Sequence, residues 1–476
     1  MNNSEENISG YLYSFFRKNL AYTLSFVFER SVLFLLLPFY TRLFTQSEYG
    51  IYSLFIATVS VGTFIYSLGI ENSLIKFKSE KHDIKLLDGT ILNGMLIPAF
   101  LFTVILFIAP SVFSNLIFGT GNYEILIYLI GISLFLETII RFFTFSVIGE
   151  QKSKVFLLVS VLKGILTIGL NFILVYYLEL KLMGAVYSFV ITSLLIALAL
   201  FLMKKIKLSF EFDKSLFKKL FKYSYPVMLT SVFLMLLNFA DTYIFRFFYD
   251  SEKVGIYSAS YKLGIGMNML VTAFATAVIP FSLKLLDENS ENKKILNIVV
   301  QIFIPILLIV FLIFSLFYIE VLQIQLFGFY LIDPKFHGAS GIIPLILLSY
   351  VFAGLYSNAT VPFYSKSETK KLAVITLIAM FINLILNVIL TPKFGYWGAA
   401  ISTLLSFIVL AGLTIFYAQK IVKINYAFIK LFLFLIIAVG FYVFSEVYFV
   451  NEILVKVIMC LTFIGAVLFN SKKIIK

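Results

Sequence analysis

Ser47-Glu48-Tyr49-Gly50-Ile51-Tyr52-Ser53 and Glu252-Lys253-Val254-Gly255-Ile256-Tyr257-Ser258 share Gly-Ile-Tyr-Ser at an offset of 205 residues. Each copy follows one long apolar run and opens another. In so apolar a chain the tetrapeptide alone is weak evidence, but a second match supports it. Asn171-Phe172-Ile173-Leu174 followed by Gly184-Ala185 parallels Asn383-Leu384-Ile385-Leu386 followed by Gly398-Ala399, at offsets of 212 and 214. The sequence is read as a tandem repeat of about 210 residues with small changes in loop length.

Outward from these motifs the composition sets the class. The chain has 476 residues, 61% of them hydrophobic, 18% aromatic and only 13% charged, with a mean hydropathy of +1.00. Soluble domains carry about 25% charged residues, so this is an integral membrane protein. Its apolar runs are roughly twenty residues long, the length of a spanning helix, whereas a β-barrel would show alternating segments of about ten.

About fourteen such runs occur, and at ~21 residues each they leave only short loops, with no room for a soluble catalytic domain. The expected fold is all-α and polytopic. Two six-helix lobes are related by the parallel repeat, with two extra C-terminal helices outside it. An even number of spans per copy gives both copies the same orientation, as in transporters whose halves are related by an axis along the membrane normal. The expected segments are a first lobe over 1–203, a basic linker over 204–222, a second lobe over 223–420, and the last two spans with a basic tail over 421–476.

The net charge of +13 would suggest nucleic acid in a soluble protein. Here it is read by location. Lys and Arg crowd alternate breaks, 27 on the N-terminal side against 7 on the other, so the positive-inside rule places both termini in the cytoplasm and no nucleic-acid partner is expected. Met1 to Lys18 reads as a cytoplasmic tail, because the first apolar run lacks a small-residue cleavage site. In the linker, Leu216, Phe217, Leu220 and Phe221 share one helical face and Lys218, Lys219 and Lys222 the other, which suits a helix lying in the inner headgroup layer.

Several chemistries are excluded. Cys460 is the single cysteine, so no internal disulfide is possible. His82 and His337 lie more than 250 residues apart without clustered carboxylates, so neither a zinc site nor any other metal or cofactor is expected. No Gly-x-x-x-x-Gly-Lys-Ser/Thr loop occurs, so the chain is not read as an ATPase. It is not expected to be an enzyme.

The stretch Leu37-Pro38-Phe39-Tyr40-Thr41-Arg42-Leu43-Phe44-Thr45-Gln46-Ser47-Glu48-Tyr49-Gly50 resembles the first-to-second-span signature of the polysaccharide transporter family. These are the O-antigen and capsule-unit flippases of the multidrug/oligosaccharidyl-lipid/polysaccharide exporter superfamily. The repeat, the span count and the Asn-to-Gly-Ala elements extend the resemblance over nearly the whole chain. It implies lobes of spans 1–6 and 7–12 facing a central cavity. The implied cargo is an oligosaccharide on undecaprenyl diphosphate, moved across the bacterial cytoplasmic membrane by alternating access for surface polysaccharide assembly. Membrane lipids, and polysaccharide polymerase machinery as a candidate, complete the implied partners.

Ionisable residues inside spans are costly and usually face the bundle interior, which makes them the chemical candidates. Arg30 lies about twelve residues into the first span, roughly 18 Å deep, and its planar fork suits a diphosphate. A structural pairing with a neighbouring carboxylate is its alternative role. Adjacent Glu29 points about 100° away around the helix. Glu137 and Arg141 stand at i,i+4 and are expected to pair, unless Arg141 snorkels or cargo phosphate competes for it. Lys163, about eight residues into the fifth span, is ambiguous in the same way.

In the second half, Asp241 and Lys262 lie at similar depth on antiparallel neighbours and are expected either to pair or to leave Asp241 carrying a coupling proton. A position beside Arg246 in the interface is the other reading. Tyr52 and Tyr257 are candidates to stack on sugar rings. The eighth span carries Gly264, Gly266 and Pro280, which permit a bend. Two rivals stand beside the flippase. A polytopic glycan polymerase or ligase would need a large outer loop with catalytic residues, absent here. A multidrug exporter of the same superfamily would use carboxylates such as Glu29 and Glu137.

Overall fold

The computed structural model describes residues 24–475 apart from 26–27, 30, 33, 79–83, 205–210, 289–292, 327 and 424–426. Among the described residues twelve helices are long and apolar enough to cross a membrane. Two shorter apolar helices, Phe34–Leu43 and Gly266–Ala275, lie where the first and eighth expected spans fall. The strands among them are a two-residue hairpin, Gln325–Leu326 against Phe329–Tyr330. The chain divides into two compact units, Met1–Ser258 and Ala259–Lys476.

The first unit contains α1 (Phe34–Leu43), α2 (Gln46–Tyr66), α3 (Asn72–Phe77), α4 (Ile84–Ile108), α5 (Pro110–Phe118), α6 (Glu124–Gly149), α7 (Ser153–Asn171), α8 (Lys181–Lys204), α9 (Lys214–Phe248) and most of α10 (Ser251–Leu263). Its hub is α6, packed against α2, α4 and α8. Helix α2 starts where Thr45 and Glu48 close a capping box. The Glu48 amide donates to Thr45 Oγ1 at 3.1 Å, and the Thr45 amide to Glu48 Oε2 at 2.8 Å, satisfying amides that the helix end leaves unpaired. Hydroxyls in the spans bond back within their own helix, as Ser53 does to the Tyr49 carbonyl at 2.8 Å, because lipid offers no other partner.

The repeated motifs have a physical cause. A Cβ on Gly184 would stand 2.7 Å from the Leu174 carbonyl oxygen, and one on Gly398 2.2 Å from that of Leu390. Both Gly-Ala elements are therefore places where a helix starts hard against the end of the preceding span. The first motif's aromatics also recur 205 residues later. Tyr40 lies 5.1 Å from Phe44 and 5.0 Å from Tyr52, and Phe245 lies 4.7 Å from Tyr249 and 5.3 Å from Tyr257.

The segment expected as a separate headgroup-layer helix is the opening of α9. That helix has 35 residues, about 52 Å at 1.5 Å each, well beyond the ~30 Å hydrocarbon core. Asp213 caps it, accepting from the Ser215 and Leu216 amides at 2.7 and 3.1 Å. The Ser215 hydroxyl also donates to it at 2.7 Å, and that bond first, with the two amides, holds its carboxyl below the usual range. Leu220 is buried in the core of the unit with Leu216, Phe217 and Phe221 packed beside it, so the apolar face meets protein.

The second unit holds α11 (Ile265–Glu288), α12 (Lys293–Leu316), α13 (Tyr318–Gln323), α14 (Ile343–Ala359), α15 (Val361–Ser365), α16 (Thr369–Phe394), α17 (Tyr396–Ile421), α18 (Phe428–Tyr448) and α19 (Ile453–Ile475). The expected eighth span is interrupted at Gly264, where a Cβ would meet Ile346 Cγ2 at 2.4 Å. Helix α17 packs on α14 and α16, while α12 carries both C-terminal helices, α18 and α19. Lys456, 2% exposed, bonds Glu320 at 2.7 Å, and the Tyr318 hydroxyl donates to Glu446 at 3.2 Å. These bonds tie the last two helices to α13.

Candidate functional site

Helix α6 places Glu137 near its middle, about 20 Å from its start at 1.5 Å per residue. A carboxylate at that depth needs partners within the protein. It finds two: Lys163 of α7 donates to Glu137 Oε1 at 3.3 Å, and the Ser193 hydroxyl of α8 at 2.9 Å. Glu29 accepts from the Ser160 hydroxyl of α7 at 2.8 Å.

Arg141, one turn beyond Glu137, is drawn elsewhere. Its Nε donates to Glu71 Oε1 at 2.9 Å and its Nη2 bonds the same oxygen. The Ser67 hydroxyl adds a third bond to that oxygen at 3.2 Å. The guanidinium also lies 4.4 Å from the Phe64 ring centre and 5.4 Å from that of Phe145. Expected pairing within α6 is therefore replaced by two cross-helix pairs, Lys163–Glu137 and Arg141–Glu71. The cause is the turn after α2. Leu68 and Gly69 adopt φ of 51° and 64°, swinging Glu71 back into the unit, where it is fully buried. Gly69 is required twice, since a Cβ there would also meet Met228 Cβ at 2.6 Å.

These groups border one cavity of about 170 Å³, lined by Glu29, Glu137, Arg141, Ser160 and Lys163 on its polar side and by Phe156, Ile196 and Leu200 on its apolar side. Arg141 and Lys163 are thus two cations at one cavity, Arg141 bonded to Glu71 and Lys163 to Glu137, with the Glu29 carboxylate also near Lys163. Glu71 escaped the sequence reading because it falls one residue beyond the expected second span. Its signal was a lone acid among Gly69, Ile70, Asn72 and Ser73, with none of the lysines that crowd the following break. Lys78 was likewise read only as a loop charge. Its side chain is 3% exposed and reaches Asp88 at 3.1 Å, Glu150 at 2.9 Å and Ser146 at 2.5 Å, stapling α3 to α4 and α6.

The remaining expected residues lie apart from this cavity's lining. Tyr52 and Tyr257 are buried rings. The Tyr52 hydroxyl donates to that of Tyr40 at 3.4 Å, which in turn donates to Asn171 Oδ1 at 2.7 Å. The Tyr257 hydroxyl donates to Asp241, whose other oxygen accepts the Thr242 amide at 2.8 Å. Arg246 donates from Nε to the Phe118 carbonyl at 2.7 Å and from Nη1 to that of Tyr249 at 3.0 Å. Lys262 stands in the last turn of α10, in the second unit. Arg30 lies outside the described residues.

The second unit has its own cavity, of about 370 Å³, at the α12, α14, α17 and α18 surfaces, lined by Ile304, Leu308, Phe352, Ile415, Phe432 and other apolar side chains with no charged residue.

Twelve membrane-length helices among the described residues, with ion pairs joining helices of the first unit, define an all-helical, multi-pass membrane protein. The lipid II flippase MurJ, solved in an inward closed conformation, has a TM-score of 0.71 to this chain at 18% identity, covering 96% of this chain and 99% of that one. An outward-facing multidrug resistance MATE transporter of the MOP superfamily has a TM-score of 0.60 at 16% identity, covering 85% and 94%. The chain belongs to the polysaccharide biosynthesis protein family, whose sequence pattern matches residues 15–286. Among curated relatives it is 23% identical over 415 residues to the probable low-salt glycan biosynthesis flippase Agl15 of Haloferax volcanii, covering 87% of this chain and 85% of the relative.

Proposed function

We propose that this protein is a flippase that carries an oligosaccharide, linked through diphosphate to undecaprenol or a similar polyprenol, across the cytoplasmic membrane by alternating access. The observation that carries the reading is the pair of cations, Arg141 and Lys163, lining one intramembrane cavity. Each is bonded to a carboxylate, Glu71 for Arg141 and Glu137 for Lys163, that an incoming diphosphate could replace. Guanidinium and ammonium both bond phosphate oxygens, and the displaced Glu71 and Glu137 would take up protons, giving transport a route to coupling. Arg30 joins them as a third diphosphate ligand, beside Glu29 in sequence.

Membership of a polysaccharide biosynthesis family and the glycan flippase among the relatives support this cargo class. One observation favours a second reading as a cation exporter: two carboxylates, Glu29 and Glu137, line the cavity, and Glu29 is hydrogen-bonded to the neutral Ser160 hydroxyl. Reconstitution into vesicles separates the two. Polyprenyl-diphosphate oligosaccharide placed in one leaflet is expected to become resistant to an impermeant glycosidase as it crosses. Uptake of a cationic dye without movement of the glycan lipid would overturn the flippase assignment.

In the proposed orientation both termini are cytoplasmic, with the lysine-rich breaks inside. In a Cys460→Ser background, cysteines at Asn122, Lys335 and Asn451 are expected to react with an impermeant maleimide added to sealed cells, and those at Lys152 and Lys218 to stay unlabelled. Labelling at Lys218 would reverse the orientation.

A further inference from the structure

Arg141 is bonded to Glu71 along one edge only. Nε and Nη2 both donate to a single oxygen, Oε1, which also accepts the Ser67 hydroxyl at 3.2 Å. The third nitrogen, Nη1, has no hydrogen-bond partner among the described residues, and the side chain borders the cavity. Two bonds that converge on one atom fix a point of the guanidinium but leave its plane free to tip. A carboxylate that met the fork with both oxygens would fix the plane as well.

What fixes the plane here is aromatic. Cζ of Arg141 stands 4.4 Å from the Phe64 ring centre and 5.4 Å from that of Phe145, both within the ~6 Å over which a ring face attracts a cation. The two rings arrive from different helices. Phe145 follows Arg141 by four residues on α6 and so shares its face. Phe64 lies in the last turn of α2, three residues before Ser67 and the turn that delivers Glu71. Phe145 also lines the cavity, so a ring that touches the guanidinium is part of the wall a ligand would meet. Lys163, at the same cavity, carries a compact charge with no plane to hold.

We propose that Phe64 and Phe145 are positioning residues for the cargo diphosphate. They hold the Arg141 guanidinium in one plane, so that a phosphate oxygen is accepted at Nη1 before Glu71 gives up Nε and Nη2. The cation then keeps a partner throughout the exchange, as its place within the helix bundle requires. This assignment rests on the diphosphate reading above and extends it to two uncharged residues that act through Arg141.

The test uses the full-length protein in lipid nanodiscs, with inorganic pyrophosphate as the probe. Phe64→Leu and Phe145→Leu keep an apolar side chain but remove the ring face, and each should weaken pyrophosphate binding roughly tenfold. Phe64→Tyr and Phe145→Tyr should bind as the wild type does. In an Arg141→Lys background the leucine changes should alter binding by less than about twofold, because no planar fork remains to be held. In glycan-lipid transport the leucine variants should raise KM with kcat little changed, whereas a loss of folded protein would lower the apparent kcat at constant KM.

A second measurement needs no cargo. The rate at which phenylglyoxal modifies Arg141, followed by mass spectrometry of its peptide, should rise about fivefold or more in either leucine variant and stay at the wild-type value in the tyrosine variants. Equal losses in leucine and tyrosine variants, or unchanged binding and modification in the leucine variants, would overturn the proposal. If Phe64→Leu does not accumulate, Phe145→Leu provides the same measurements from the cavity wall. A modification rate that responds to leucine and not to tyrosine, with neither pyrophosphate bound nor glycan lipid moved, would retain the positioning of Arg141 and reject the diphosphate cargo.

Discussion

Arg141→Ala is expected to lower transport of the lipid-linked glycan by roughly a hundredfold, the equivalent of the ~3 kcal/mol that a charge-assisted hydrogen bond contributes. It should also destabilise the protein by about 3 kcal/mol, because Glu71 is fully buried and would be left without its guanidinium. These two effects have to be separated. Adding Glu71→Gln to Arg141→Ala removes the uncompensated charge, so thermal unfolding in detergent should return most of the way to wild type. Transport should stay low, because the ligand for diphosphate is still missing. Arg141→Lys should retain part of the activity, since an ammonium supplies charge without the planar fork. A double variant that is stable and transports normally would make Arg141–Glu71 a structural pair only and remove Arg141 from cargo binding.

The second large effect is expected at Lys163 and Glu137, which face each other at 3.3 Å. Lys163→Gln leaves Glu137 with the Ser193 hydroxyl, and Glu137→Gln leaves Lys163 without its carboxylate. Each should reduce transport by at least about tenfold, since an unpartnered charge at mid-span carries the cost of its burial. The double neutral variant distinguishes the roles. If the pair only neutralises itself, Lys163→Gln with Glu137→Gln should do less damage than the two single changes combined. If Lys163 binds diphosphate and Glu137 takes the displaced proton, the double variant should stay inactive. Wild-type transport in vesicles should then respond to an imposed pH gradient, and Glu137→Gln should not. Full activity in both single variants would exclude the pair from the mechanism.

The difference between these pairs and those expected from sequence lies in what helical spacing can express. Glu137 and Arg141 are four residues apart and do share a face of α6, as periodicity requires. Sharing a face does not decide which group each bonds, because a neighbouring helix can offer a better-placed partner. Lys163 and Ser193 on α7 and α8 take Glu137. The left-handed turn at Leu68 and Gly69 delivers Glu71 to Arg141. Gly69 was visible in the sequence, but neither its positive φ nor the direction of the turn could be read from composition. The linker lysines illustrate the same limit. Their helical face was legible, but its continuation into a 35-residue helix depends on Asp213 capping and on a core that accepts Leu220.

Sequence alone determined that this protein is all-helical and spans the membrane many times, because lipid demands long apolar runs with internally satisfied backbones, and composition records that demand directly. It also pointed to the family, which the match over residues 15–286 shows, through motifs whose glycines, Gly50, Gly255, Gly184 and Gly398, stand where backbones come too close for a Cβ. Only the tertiary structure decided which buried charges pair across helices, and that Gly50 and Gly255 touch one another. Such contacts join residues up to some 205 positions apart, and the geometry that selects among candidate partners exists only after the helices have packed.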